Sequence, residues 1–372
     1  MIYNQFGDMK LSALGLGTMR LPTVDGKEGQ IDEAATEKMI ALALEQGINY
    51  FDTAWMYHEF NSEPVVGRIL SKYPRESFYL ATKMPGMNYS KSGRPEEIFE
   101  KQLEKCRVDY FDFYLVHNLN DNNIENYMDD DFPVMPYLLE QKAKGRIRHL
   151  GLSVHGCLDT LKRFLDKWGE HMEFCQIQLN YIDWDLQRAS DKVALLNERG
   201  IPIWVMEPLR GGKLAALPEQ DAAKLKALRP EENIPAWGFR FLQSLPGVTM
   251  VLSGMSSEEQ LRDNIRTFSE SRPLNGEEMA AVKEMAKGLS SGVPCTACHY
   301  CTVRCPRELD IPRLIQMYNE FNFSGSRWEV DEMPEMKRPS ACIGCRCCEA
   351  ACPQSIRVSQ ILSDFASKLA KK

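Results

Sequence analysis

Between Leu14 and about Gly254, short apolar runs alternate with longer amphipathic stretches. The runs are ALGLGTM (13–19), INYFDTA (48–54), FYLATK (78–83), FDFYLVH (111–117), HLGLSV (149–154), FCQIQLN (174–180), IPIWVME (201–207) and GVTMVLSG (247–254). A near-continuous apolar run of strand length is a strand buried on both faces, and helix-like segments between most of these runs predict a parallel sheet covered by helices. Eight such units in fewer than 300 residues predict an α/β protein built as a (β/α)8 TIM barrel. An open doubly wound sheet is the alternative, weakened because no GxGxxG follows the first run.

A barrel of this kind carries its active site where the strands end. Asp52 closes the second run, Lys83 the third and His117 the fourth, and Tyr57 lies five residues beyond Asp52 in the following loop. Taken singly, each has an ordinary role: a capping aspartate, a solvated lysine, a packed tyrosine, a core histidine. Together, at consecutive strand ends, they form a proton-transfer device. A neighbouring Lys83 ammonium is expected to lower the Tyr57 pKa from its usual value near 10, with Asp52 keeping Lys83 charged. His117 is placed to hydrogen-bond an oxygen that becomes negative as a carbonyl is reduced.

These segments resemble an aldo-keto reductase. GINYFDTAWMY (47–57) with NSEPVVG (61–67), LATK (80–83) and DFYLVH (112–117) match that family's Asp-Thr-Ala-x-x-Tyr, lysine and histidine segments, in order, within roughly residues 10–270. The resemblance implies Tyr57 as general acid, Asp52 and Lys83 as its tuning pair, His117 as carbonyl orienter, and a small carbonyl or alcohol as substrate. It also implies NADP or NAD lying across the mouth, with Ser153 and Gln176 on the carboxamide. Val154 and Met206 stand where the family has an asparagine and the tyrosine that stacks on the nicotinamide. A flavin is the alternative occupant of the same mouth.

The segment SGMSSEEQLRDN (253–264) follows the last run, with Ser256 three residues before Glu259 and Ser257 three before Gln260, both capping-box spacings. A helix starting there offers amides to a phosphate, and Arg210-Gly211-Gly212-Lys213 can assist at a pyrophosphate. A capped helix without a ligand is the plain alternative. Ser253, Gly254, Ser256, Gln260 and Asn264 are the expected contacts at this end, with Arg210 and Gly211 opposite. Gly254 and Gln260 stand where NADP-preferring members of the family carry a lysine and an arginine, for which Arg262 is the nearby substitute.

The pattern changes near Gly292-Val293-Pro294. Nine of the twelve cysteines fall in the last 78 residues, which divides the chain into a barrel over 1–290 and a small, mainly helical ferredoxin-like domain over 291–372. CTACHYCTVRCP (295–306) and CIGCRCCEAACP (342–353) both read C-x2-C-x2-C-x3-C-P, the spacing of bacterial two-[4Fe–4S] ferredoxins, in which the fourth cysteine of each run serves the other cluster. This assigns Cys295, Cys298, Cys301 and Cys352 to one cluster and Cys342, Cys345, Cys348 and Cys305 to the other. Zinc on C-x2-C pairs leaves the third and fourth cysteines of each run unexplained. Cys347 breaks the spacing and reads as a small semi-buried thiol. RELDIPRLIQMYNEF (307–321) and SIRVSQILSDFASKLAKK (355–372) predict helices, the latter with Ile356, Ile361, Leu362 and Phe365 on its apolar face, and residues 324–340 predict an irregular loop.

Composition narrows the remaining classes. With 372 residues, 44% hydrophobic and 26% charged, disorder and fibrous folds are excluded. A net charge of −7 gives no basic field for nucleic acid. No apolar run reaches the roughly 18 residues of a spanning helix, and MIYNQFGDMK lacks a signal-peptide pattern. The expectation is a cytoplasmic chain without membrane contact, whose clusters either exchange electrons with a redox partner protein or staple the last helices to the barrel; the alternative function is an iron–sulfur electron carrier whose barrel binds a nicotinamide or flavin without carbonyl turnover.

Overall fold

The computed structural model describes residues 1–85, 94–289, 292, 293, 295, 301–352 and 355–371. It divides into two compact units: Met1–Tyr181 with Arg188–Ala281, and Ile182–Gln187 with Val282–Lys372. The sequence places the division after residue 290, whereas here it falls inside the helix Gly276–Leu289. Val282, Met285 and Ala286 on that helix are buried apolar residues.

The first unit begins with a hairpin of β1 (Tyr3–Phe6) and β2 (Met9–Ser12), which is absent from the predicted elements. Its signal is faint, a Gly7-Asp8 turn with Gly7 at φ +54°, the left-handed start that two-residue hairpin turns need. Phe6 reaches into the barrel, its ring 5.1 Å from Trp204 and 5.7 Å from Phe113. The predicted runs become β3 (Leu14–Gly17), β4 (Tyr50–Asp52), β5 (Tyr79–Pro85), β6 (Phe111–Leu119), β7 (Ile147–Val154), β8 (Phe174–Gln178), β9 (Ile203–Met206) and β10 (Val248–Gly254). They close in the order β10-β3-β4-β5-β6-β7-β8-β9, all parallel. The (β/α)8 expectation is correct.

Side chains alternate across a strand, and this parity builds the site. Tyr50, Ala81, Phe113, Phe174, Trp204 and Leu252 share one core cluster inside the barrel. Moving two residues toward the strand end gives Asp52, Lys83, Gln176, Met206 and Gly254, and moving four from Phe113 gives His117. The lower layers are thus apolar fill, and the next inward layer brings in the polar Asp52, Lys83 and Gln176 beside Leu115, Met206 and Gly254. Outside, the helix Ser62–Leu70 buries Val65, Val66, Ile69 and Leu70. It lies so close to the helix Pro95–Cys106 that a Cβ on Gly67 would sit 2.3 Å from the Lys105 carbonyl oxygen.

In the second unit the helix Ile311–Ser324 packs against Val358–Ala370. Asp310 caps the former, accepting from Arg313 N at 3.3 Å, and Gly325 ends it at φ +73°. Leu314, Ile315, Leu362 and Phe365 form the core together with Cys301 and Cys348, so two proposed ligands grow directly from it. Residues 324–340, expected as a loop, contain the short helix Trp328–Glu332, with Val330 buried in that core. Among the described residues no helix is long and apolar enough to cross a membrane.

Candidate active site

Lys83 organises the mouth of the barrel. It is fully buried, and its Nζ donates to Asp52 Oδ1 at 2.5 Å, to the Thr53 carbonyl at 2.8 Å and to Tyr57 Oη at 3.4 Å. An ammonium has three protons and no acceptor, so these partners use its capacity completely. Because Tyr57 Oη accepts from Lys83, the phenol's own proton remains available to a third group. The His117 ring packs edge-on against Tyr57, centroids 6.0 Å apart. The structure therefore brings together all four residues singled out at the strand ends.

The loop that carries Tyr57 is held from both sides. Its hydroxyl-bearing residues form a buried chain, Thr18 Oγ1 to Ser62 Oγ at 2.7 Å and Ser62 Oγ to Thr53 Oγ1 at 2.9 Å, and Thr18 also donates to the Asp52 carbonyl. Directly after Tyr57, His58, Glu59 and Phe60 occupy left-handed backbone, φ 51°, 53° and 72°, at roughly 1–2 kcal/mol each. His58 fastens this turn: its Nε2 accepts from Leu21 N at 3.1 Å, so Nδ1 holds the proton and donates to the Glu28 carbonyl at 2.7 Å. On the outer face of β5, Glu63 accepts from Thr82 and Gln102, and Gln102 also donates to the Lys83 carbonyl at 3.0 Å.

Burial decides the proton affinities. It raises the Tyr57 pKa more than the Lys83 cation lowers it, with Asp52 and Glu207 adding to the rise. The expected lowering of Tyr57 is therefore reversed, and the phenol is protonated at neutral pH. Burial also raises the Asp52 carboxyl above its usual value despite Lys83. The same burial opposes a charged Lys83, but Asp52 and Tyr57 outweigh it and the net shift is upward. Burial, with Lys83 and His155, pushes His117 well below its usual pKa, leaving a neutral imidazole.

A cleft beside this group is lined by Arg20, Glu207, Gly211, Ser253, Gly254 and Gln260, among others including Asn264. Asn264 Nδ2 donates to Ser253 Oγ at 3.1 Å. Arg20 and Glu207, absent from the sequence-based candidates, meet across the cleft with Nη2 3.8 Å from Oε1; they belong to loops 187 residues apart, which no local pattern connects. Arg210 is buried in its loop, and Ser256 donates its hydroxyl to the Arg20 carbonyl at 2.8 Å. The helix Glu258–Thr267 is capped by Ser257, whose Oγ accepts from Gln260 N, while Gln260 Oε1 accepts from Ser256 N at 2.8 Å. That capping box occupies two of the amides expected to face a phosphate. Arg262 is engaged by Glu258 at 2.6 Å.

On the opposite wall Ser153 and Gln176 are register partners on β7 and β8, and Gln178 pairs with Met206. Ser153 Oγ accepts from Asn118 N at 2.9 Å. Gln176 Oε1 and Asp52 Oδ2 are buried oxygens with no hydrogen-bond partner among the described residues. A buried carbonyl oxygen without a donor costs about 1–3 kcal/mol, and a carboxamide bound beside Ser153 would supply the donor that Gln176 lacks. The polar wall fits a nicotinamide.

In the second unit Cys305, Cys342, Cys345 and Cys348 line one recess, the same four thiols that the spacing assigns to one cluster. Of the other set, Cys301 is buried and Cys295 and Cys352 are half-buried, while Cys298 lies outside the described residues. Burial raises the Cys348 thiol to about 11. Cys347 is exposed rather than semi-buried, its Sγ 3.9 Å from the Cys345 carbonyl.

Residues 13–287 match the model of the aldo/keto reductase family and residues 294–356 that of the 4Fe-4S dicluster domain. A relative named NADH-specific methylglyoxal reductase, from Escherichia coli, is 26% identical over 76% of this chain and 97% of its own length. L-galactose dehydrogenase of Arabidopsis thaliana is 25% identical over 76% and 93%. Among solved structures, an aldo-keto reductase from Bacillus halodurans in its holo form superposes with TM-score 0.63 and 26% identity, covering 77% of this chain and 97% of that one. One from Klebsiella pneumoniae in complex with NADP and acetate gives TM-score 0.61 at 20% identity, covering 76% and 93%, a likeness of fold.

Proposed function

Because the chain belongs to the aldo/keto reductase family, we propose that this NAD(P)H-dependent oxidoreductase reduces a small carbonyl compound, or oxidises the corresponding alcohol, with Tyr57 as proton donor. The observation that carries this reading is Lys83 Nζ held between Asp52 Oδ1 and Tyr57 Oη, with His117 packed on the Tyr57 ring.

A bound nicotinamide supplies a hydride to the carbonyl carbon. Ser153 and Gln176 would hold its carboxamide, Met206 ends β9 in register with Gln178, and Gly211, Ser253, Gly254, Gln260 and Asn264 line the cleft that would take the phosphates, with Arg20 as the added cation. Both NADP and NAD are proposed, since the names of the similar proteins include each. Neutral His117 donates an N–H to the carbonyl oxygen without competing as an acid. As charge develops on that oxygen, Tyr57 gives up its proton, and the phenolate left behind already faces the Lys83 ammonium. Asp52 keeps Lys83 charged through the step. The second unit is proposed to hold two [4Fe–4S] clusters on the two cysteine sets assigned above and to exchange single electrons with a redox partner.

Tyr57→Phe tests the reading. With methylglyoxal and NADH or NADPH under anaerobic conditions, kcat is expected to fall by about 10²–10⁴-fold, while nucleotide affinity, read by fluorescence titration, stays unchanged. A variant that keeps wild-type kcat removes Tyr57 from the reaction.

A further inference from the structure

We propose that the exposed rim around Cys305, Cys342, Cys345 and Cys348 is the docking surface for an acidic one-electron carrier protein. This rests on the reading that these thiols hold a cluster.

The recess containing the four thiols is rimmed by Arg307, Ile343 and Arg346. Within it Cys348 is buried, but Cys345 is exposed, so this ligand set reaches the protein surface. The turn Thr302–Arg304, which carries Val303 and Arg304, packs beside the helix Cys347–Ala350. Two aliphatic side chains are open to water next to ligands: Val303, 83% exposed, and Ile343, 62% exposed.

The charge around them is unbalanced. Arg304, Arg307, Arg346 and Arg357 are exposed, and none has a side-chain hydrogen bond or ion pair among the described residues. Elsewhere in the unit arginines are paired, Arg327 with Asp331 at 2.7 Å for example. The nearby acids are engaged: Glu349, whose carboxylate is held mainly by Ser359 with a smaller influence of Arg346 and Arg357, accepts from Ser359 N at 2.8 Å, and Lys337 Nζ lies 3.4 Å from Glu308. In a chain of net charge −7, residues 295–372 hold eleven basic and nine acidic residues. Exposed aliphatic side chains beside guanidinium groups that have no ion pair among the described residues match a partner whose redox centre is ringed by carboxylates. Electron-transfer encounters bury little area and depend on such charge for steering. In the transfer the reduced carrier loses one electron and the oxidised cluster gains it, with no bond made or broken.

The test uses the full chain with its clusters reconstituted anaerobically, an acidic flavodoxin as probe and a basic cytochrome c as control. Oxidised flavodoxin is expected to bind the wild type with an affinity that falls as salt rises, and cytochrome c to bind no better than background. Arg307→Glu with Arg346→Glu, or Arg357→Glu alone, which lies outside both cysteine runs, should weaken flavodoxin binding about tenfold or more and flatten its salt dependence. Ile343→Ser should weaken binding while preserving the salt slope. Nucleotide affinity of the barrel should be unchanged throughout. Iron-replete protein whose flavodoxin affinity ignores the arginine substitutions, or a wild type that does not bind flavodoxin, overturns the docking surface alone. A reconstituted wild type that retains no iron overturns the cluster reading and the docking proposal with it.

Discussion

Asp52→Asn separates the charge of the strand-end aspartate from its shape. In the wild type Lys83 is fully buried, and the Asp52 side chain is only 4% exposed at an N···O distance of 2.5 Å. Asparagine keeps an oxygen for Lys83 Nζ, and the Thr53 carbonyl at 2.8 Å remains, but no anion is left within contact. Breaking a buried pair costs about 3–5 kcal/mol, and the retained acceptor places this variant near 3. Thermal unfolding should therefore shift down by several degrees. The second consequence concerns proton affinity. Burial opposes the charged Lys83 and Asp52 is foremost among the groups that outweigh it, so its ammonium loses its proton at lower pH in the variant. One pKa unit corresponds to about 1.36 kcal/mol, so a cost of that size is enough to move the titration appreciably. In the proposed reaction Tyr57 is protonated and Lys83 charged, so the alkaline limb of kcat should move to lower pH while nucleotide affinity is unchanged. The assay is kcat for methylglyoxal reduction from neutral to alkaline pH, beside calorimetry of the same protein. An unchanged alkaline limb together with an unchanged Tm would refute the coupling of these three residues.

His117 makes a pH prediction of opposite character. Its folded pKa lies well below the ordinary value, so below about pH 6.5 the unfolded chain binds more protons than the folded one. The stability present above that pH is lost as pH falls toward the folded pKa, and His117→Gln should flatten the acid side of a Tm–pH curve. Gly67→Ala would drive a methyl into the Lys105 carbonyl and should cost about 1–3 kcal/mol, read by denaturant unfolding; wild-type stability would show that the two helices can move apart freely. Iron removal by a chelator should lower the melting of the second unit, whose core includes Cys301 and Cys348, and leave the barrel transition in place. A single calorimetric transition insensitive to chelation would contradict a role for metal in that unit's stability.

The apolar runs alone determined the eight strands, and Asp52, Lys83 and His117 were visible as a group because each closes one of three consecutive runs. Which face they share was decided by the closed barrel, where each lies an even number of positions beyond an interior core residue. The doubled cysteine spacing likewise carried its meaning locally, because three ligands within seven residues need only a tight loop, and the structure adds that Cys305 joins Cys342, Cys345 and Cys348 in one recess. Contacts and energies that sum over distant chain segments were beyond the sequence. Arg20 and Glu207 meet only because the barrel closes β10 onto β3 and β9 onto β10. The hairpin at Gly7 follows from what it packs against, the Phe6 ring lying 5.1 Å from Trp204 inside the barrel. The direction of the Tyr57 shift reversed for the same reason. An adjacent lysine can be read from residue types, but desolvation is exerted by every atom that excludes water from the phenol, and only the folded chain assembles those atoms.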